Sequence, residues 1–349
     1  MVQLGTPDAP EKAAVRRYLK SFLSDPRVVE IPRLLWWPLL NGVILNTRPA
    51  KSAERYRAIW TRDGSPLMTI SRRQRALLKG SLGEAGLDVE VALAMRYGNP
   101  SVGAALQALR ARNLARLLVL PMYPQYAAST TASVFDAVAA ELSTWRNLPE
   151  LRFVRNFHDH PGWLDAQVRA IESVWQADGR PDRLVMSFHG VPRRSLDLGD
   201  PYHCECLATG RRIAERLGLA PDAWLVTFQS RLGRARWLEP YTEPSLVALA
   251  KAGVGSVDVV CPGFVADNLE TLEEIDIEAR AAFMKAGGKR MRFVPCLNDA
   301  PAFICALSDL ARRHLAGWPC ERLDRPSAAA RDAELDARRQ RAKAAGAVD

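Results

Sequence analysis

The fifteen residues from 264 to 278 read FVADNLETLEEIDIE and follow directly on the apolar run SVDVVCPG. Five of them are acidic: Glu270, Glu273, Glu274, Asp276 and Glu278. A solvated helix face accounts for such a run, and so does a site that moves protons or holds a metal. On an α-helix, residues four apart are turned by about 40° and advanced by about 6 Å. Glu270, Glu274 and Glu278 then form a slowly drifting ladder, and Glu273 and Asp276 fall off it. Like charges at this spacing destabilise a helix by roughly a few tenths of a kcal/mol per pair, so spacing alone leaves both readings open. Leu269, Leu272 and Ile275 add a stripe that packs into a core. Carboxylates beside buried surface are expected to have raised pKa values and can move protons.

His189 is the second chemical candidate. It closes the apolar run of VMSFHGVP and precedes a Gly-x-Pro turn. A lone histidine near a core is more often structural, but the carboxyl end of a strand is where α/β sheets bind ligands. A neutral imidazole there accepts a proton or binds a metal near pH 7. His158 and His160, in FHDHPGW, read as a loop, and His314 sits in a basic helix.

Short β-branched runs occupy residues 89–98, 115–124, 183–190, 223–230, 256–263 and 291–298, each followed by a helical pattern. Continuous apolar strands alternating with helices predict parallel sheets covered on both faces, and the chain is long enough for two doubly wound, Rossmann-like α/β domains. The strand-end segments MRYGNP, PMYPQY, SFHGVP, FQSRLG and CPGFVADN should then carry the chemistry. The expected division is residues 1–125 with about 300–322 as a first domain closed by a C-terminal helix, and 126–299 as a second. Residues 323–349 have almost no large apolar side chains and are expected to be a disordered tail. Only four residues precede GTPDAP, so the first strand is short or residues are missing upstream.

The composition narrows the class. The chain has 349 residues, 48% hydrophobic, with a formal charge of +9. Its basic residues are spread out, with no dense block interleaved with aromatics, which disfavours a nucleic-acid module. Six cysteines without a secretory leader fit a reducing cytoplasm. Cys204 and Cys206 stand two apart with no second close pair, giving weak support to a zinc or iron–sulfur site. The run from Ile31 to Leu45, IPRLLWWPLLNGVIL, is too short to span a bilayer. It reads as a buried segment or as an exposed apolar lip for a flat apolar ligand or a membrane interface.

At this point the resemblance becomes specific. LGTPDAP (4–10), MRYGNPS (95–101), LPMYPQYAASTTAS (120–133), SFHGVP (187–192), GDPYHCEC (199–206), FQSRLGRARWLEPYT (228–242) and the acidic run occur in the order found in ferrochelatases. The chain resembles that family from residue 4 to about 315, and GDPYHCEC looks like the proteobacterial branch. The resemblance implies a porphyrin cleft between two Rossmann-like halves and insertion of Fe²⁺ into protoporphyrin IX to give protohaem. It further implies that His189 and Glu270 are catalytic and meet the metal, while Glu274 and Glu278 continue a proton or metal path. Arg48 and Ser65 would hold propionates, Arg96 and Tyr97 would line the opposite wall, and Tyr123, Trp36 and Trp37 would form the apolar wall and lip. Asn268 stands where some relatives carry histidine.

The implied partners are protoporphyrin IX and Fe²⁺ as substrate, with no nucleic acid and no permanently bound cofactor. The expected protein is cytoplasmic, with peripheral contact at the inner membrane as a further expectation, and a monomer, with a dimer as the alternative. Rival readings are a chelatase for another tetrapyrrole such as coproporphyrin or another metal, and a non-enzymatic porphyrin or haem carrier. The cysteine spacing does not match that of the cluster-bearing members of the family, so the resemblance implies no iron–sulfur cluster: purified, haem-free protein should show no visible thiolate–iron absorbance, and such a band would contradict this.

Overall fold

The structure is a computed structural model that describes residues 1–231, 233, 235–320 and 328–347. Eight parallel strands are found among the described residues: β1 (Val2–Gly5), β2 (Ala94–Tyr97), β3 (Arg116–Val119), β4 (Glu150–Phe153), β5 (Arg183–His189), β6 (Trp224–Gln229), β7 (Ser256–Val260) and β8 (Arg290–Val294). In the first half β1 pairs with β2, and β3 with β4. The Val2 N–H donates to Leu120 O at 2.9 Å, and Val2 O accepts from Met122 N at 2.8 Å, joining the pairs in the order β2-β1-β3-β4. The second half repeats that order as β6-β5-β7-β8. In each half the first strand is flanked by the second and third, so connections leave its carboxyl end in both directions and open a crevice there.

The short first strand is thus interior to its sheet. Gly5, at a φ of 113°, ends it where an added Cβ would lie 1.7 Å from the Tyr97 carbonyl oxygen, a position only glycine can fill.

The expected boundary at residue 125 shifts. Helix Ser133–Leu142 and β4 follow it in sequence, yet β4 completes the first sheet. Its sequence, ELRF, is poor in β-branched residues because it is an edge strand, where charge is tolerated and guards against edge pairing. Arg152 uses its guanidinium to bond the carbonyls of His314 and Ala316 at 2.6 and 2.8 Å.

Helix Pro301–Leu315, expected to close the first half, packs between helix Pro66–Glu84 and helix Pro161–Asp178. Its Phe303 and Leu307 share one core with Leu78 of the first half and Met186 and Phe188 of β5. The tail also departs from expectation: Ala328–Ala344 is helical, supported by alanine content and by the four-apart pair Glu334–Arg338 at 2.9 Å. Residues 323–327 and 348–349 of that tail lie outside the described residues. No described helix is long and apolar enough to cross a membrane.

Inside β7, Asp258 is fully buried. Both its oxygens accept from Arg292 at 2.7 Å, and Trp175 Nε1 donates at 2.8 Å. Removing one partner of such a pair leaves a buried charge unmatched. Asp258→Ala should therefore lower unfolding free energy by about 3–5 kcal/mol in chemical denaturation, and an unchanged midpoint would contradict this.

Candidate active site

The carboxyl ends of both sheets face one cleft of about 1210 Å³. Leu4 and Tyr123 reach it from the first sheet, His189 and Ser230 from the second, and Trp36 and Arg48 from the lip side. Three π-helical segments, Leu40–Ile44, Ala128–Ala132 and Glu270–Ala279, each contribute lining residues. Such i→i+5 segments recur at functional sites.

His189 ends β5, half-buried, with its register partner Gln229 ending β6. The next residue must be small: a Cβ on Gly190 would lie 2.6 Å from Gln229 O, to which the Gly190 N–H donates at 2.7 Å. This turn brings Gly190 O within 2.7 Å of His189 Nδ1. A carbonyl oxygen can only accept, so Nδ1 carries the proton and, in the neutral ring, Nε2 holds a free lone pair.

Glu270 lines the same cleft from the first turn of the π-helix. Asn268 caps that turn, its Oδ1 accepting from Thr271 N at 3.1 Å. Gln229 Nε2 donates to Glu270 O at 2.8 Å. Burial pushes the Glu270 carboxyl above its ordinary range, a nearby positive charge on His189 opposes this, and Glu274 reinforces it.

The expected α-helical ladder is a π-helix, but its direction holds. Glu270 is half-buried on the cleft, Glu274 is half-buried on an adjoining pocket of about 300 Å³, and Glu278 is exposed. Ser230 fixes Glu274, its N–H and hydroxyl donating at 2.6 and 2.5 Å. Arg55 Nη2 donates to Glu278 at 2.7 Å.

A family model described as Ferrochelatase matches residues 1–315. The chain is 58% identical over 348 residues to the ferrochelatase of Aromatoleum aromaticum, covering 99% of this chain and 94% of that protein. It is also 58% identical over 347 residues to the ferrochelatase of Methylibium petroleiphilum, again covering 99% and 94%. This chain belongs to the ferrochelatase family. The solved structure of SirB from Bacillus subtilis with Fe³⁺ aligns at a TM-score of 0.53 and 15% identity, covering 74% of this chain and 95% of that one. That likeness speaks for the shared chelatase fold.

In this ferrochelatase-family cleft the remaining expected residues divide. Arg48 and Tyr123 line it, as does Trp36, whose Nε1 donates to Leu23 O at 2.7 Å. Arg48 has no side-chain bond among the described residues, and neither does the buried Tyr123 hydroxyl. Trp37, 46% exposed, is not among the residues that line the cleft.

Ser65 does not line the cleft. It is buried at the start of helix Pro66–Glu84 and accepts from the Thr6 hydroxyl at 2.8 Å.

Arg96 and Tyr97 also lie behind the wall. They donate to Asp25 at 2.5 and 2.7 Å, with Ser133 adding a third bond at 2.6 Å. Burial pushes Asp25 up, but the Ser133 and Tyr97 hydroxyls, the Arg27 N–H and the Arg96 charge together hold its carboxyl below the ordinary range. Arg96 and Tyr97 thus act one layer back, rooting the segment from Arg27 to Ile31 that does line the cleft. Nothing in FLSDPR marks Asp25 as their partner, because the contact spans 71 residues.

Glu273 was also hidden from α-helical spacing. With bonds running five residues apart, Glu273 and Glu278 share one side and one partner, Arg55, which reaches Glu273 at 3.3 Å. Burial lifts Glu273 to about 7 against Arg55, with Glu278 and Glu274 adding to the rise. Between its ordinary 4.5 and about 7, the folded state holds a proton the unfolded chain lacks, so stability falls as pH rises through that window. Glu273→Gln should remove that slope in pH-dependent denaturation, and parallel curves for parent and variant would contradict it.

Proposed function

We propose that this chain inserts Fe²⁺ into protoporphyrin IX, forming protohaem and releasing two protons. Family membership over residues 1–315 carries the reaction. The site rests on one observation: an imidazole with a committed Nδ1 and a carboxyl of raised pKa open on the same large cleft. Fe²⁺ enters as substrate, and neither a resident cofactor nor an iron–sulfur cluster is part of the proposal.

The chemistry follows from the parts. A concave, mostly apolar cleft of this size suits a flat macrocycle, and Arg48 at its edge, with no side-chain bond among the described residues, suits a propionate through a charge-assisted bond. A planar porphyrin hides its nitrogen lone pairs, so a cleft complementary to the bent macrocycle favours the transition state over the substrate. His189 Nε2 takes a pyrrole proton or meets the incoming Fe²⁺, which accepts imidazole and carboxylate ligands alike. Glu270, with its pKa raised, takes the second role across the cleft. Glu274 and Glu278 extend from there to the surface and offer protons or metal a route between cleft and solvent.

The lip supports peripheral contact with a membrane surface by a cytoplasmic protein. Leu34 and Leu35 are 91% and 70% exposed beside Trp37, on a segment whose inner face lines the cleft. A greasy substrate could then pass between membrane and cleft.

Anaerobic Fe²⁺ insertion into protoporphyrin, followed by absorbance, tests the site. His189→Ala and Glu270→Ala should each lower kcat by about a hundredfold or more, the range for loss of a positioned acid or base. Near-parent rates in both variants would overturn the assignment, and faster turnover of coproporphyrin than protoporphyrin would overturn the substrate.

A further inference from the structure

The motif GDPYHCEC has no part in the chemistry above, yet its side chains reach both walls of the cleft. Asp200 Oδ2 accepts from the Ala128 N–H at 2.7 Å, and its Oδ1 from Tyr202 N at 3.0 Å. One turn further on, buried Glu205 accepts from the Tyr126 N–H at 2.7 Å and from Asn156 Nδ2 at 2.7 Å. Thr209, on the same helix (Tyr202–Arg216), accepts from Gln125 Nε2 at 3.0 Å. Residues 125, 126 and 128 all belong to the loop that leaves the first sheet. Ala128, Ser129 and Thr130 of that loop line the cleft.

The same helix, which belongs to the second half, is also tied to the reacting end of that half. The Tyr202 hydroxyl donates to His189 O at 2.9 Å. It sits where the halves crowd: a Cβ on Gly263 would meet Phe188 at 3.4 Å, Gln125 Oε1 at 3.5 Å and Tyr202 OH at 3.8 Å. The halves of a two-domain chain move relative to one another unless something holds them. Here backbone N–H groups of one half are held by carboxylates of the other, within one helical turn of the bond to His189.

We propose that Asp200, Tyr202 and Glu205 are positioning residues that fix the first-half wall of the cleft, Tyr126 to Thr130, against His189 of the second half. None of the three need touch a reacting atom. Their effect on turnover comes through the spacing of the walls that grip the macrocycle, where a misplacement of about 1 Å can cost about a hundredfold in rate. The inference rests on the porphyrin reading of the cleft.

Asp200→Asn tests it, because an amide of the same size can accept from only one of the two N–H groups. Tyr202→Phe is the milder companion, removing one hydroxyl and keeping the ring. Protoporphyrin binding by fluorescence quenching counts working sites, and insertion rates are then expressed per site. Resonance Raman spectra of the bound metal-free porphyrin report how far the walls bend it.

Asp200→Asn should lower kcat per site about tenfold with KM for Fe²⁺ within twofold of the parent, and out-of-plane Raman bands should weaken. Tyr202→Phe should shift both in the same direction by less. If both variants keep parent rates per site and parent Raman bands, the residues only help the chain fold and the inference is overturned. A parent protein that binds no protoporphyrin would overturn the reading beneath it, and the inference with it.

Discussion

Each sheet places its first strand between its second and third, and that constraint governs the rest of the molecule. It opens a crevice at the carboxyl end of β1 and another at that of β5. Because the two halves face each other through those ends, the crevices merge into a single cleft. His189 reaches the site because it is the last residue of β5, and Glu270 because the connection after β7 returns over the same edge. Helix Pro301–Leu315 and the GDPYHCEC segment then tie the halves, one through apolar packing and one through the carboxylates of Asp200 and Glu205.

Within the cleft, two electrostatic demands are balanced. A carboxylate near the centre must leave water, which raises its pKa, while proximity to a charged imidazole lowers it. Burial wins at Glu270, leaving a carboxyl that can exchange protons closer to neutrality than a free glutamate. His189 is prepared differently, by geometry: the glycine turn after β5 commits Nδ1 to a carbonyl and leaves Nε2 for chemistry. Moving outward, Glu274 is held by Ser230 and Glu278 by Arg55, and two half-buried carboxylates are followed by an exposed one.

Much of this was legible in the sequence, for physical reasons. Strands buried on both faces read as continuous apolar runs, so β2, β3 and β5–β8 were visible, and their ends pointed to His189. β4 was not, because an edge strand carries Glu150 and Arg152 and lacks the apolar signature. Glu270, Glu274 and Glu278 could be aligned from four-apart spacing, but the side shared by Glu273 and Glu278 could not, since only five-apart bonding aligns them. Arg96, Tyr97 and Ser65 illustrate a different limit. Their motifs mark them as near the cleft, yet a polar side chain one layer behind a wall has the same sequence neighbours as one in front of it. Partners such as Asp25 and Thr6, far away along the chain, decide which it is.

The central claim is that His189 presents a free Nε2 to the cleft and meets the metal through it. Nitrogen-15 NMR of histidine-labelled protein reads this directly, with diamagnetic Zn²⁺ in place of Fe²⁺ and His189→Ala to assign the signals. The account predicts a His189 ring that carries a proton on Nδ1, whose Nε2 signal shifts on metal addition while Nδ1 keeps its proton. A proton found on Nε2, or a His189 ring indifferent to the metal, would contradict it.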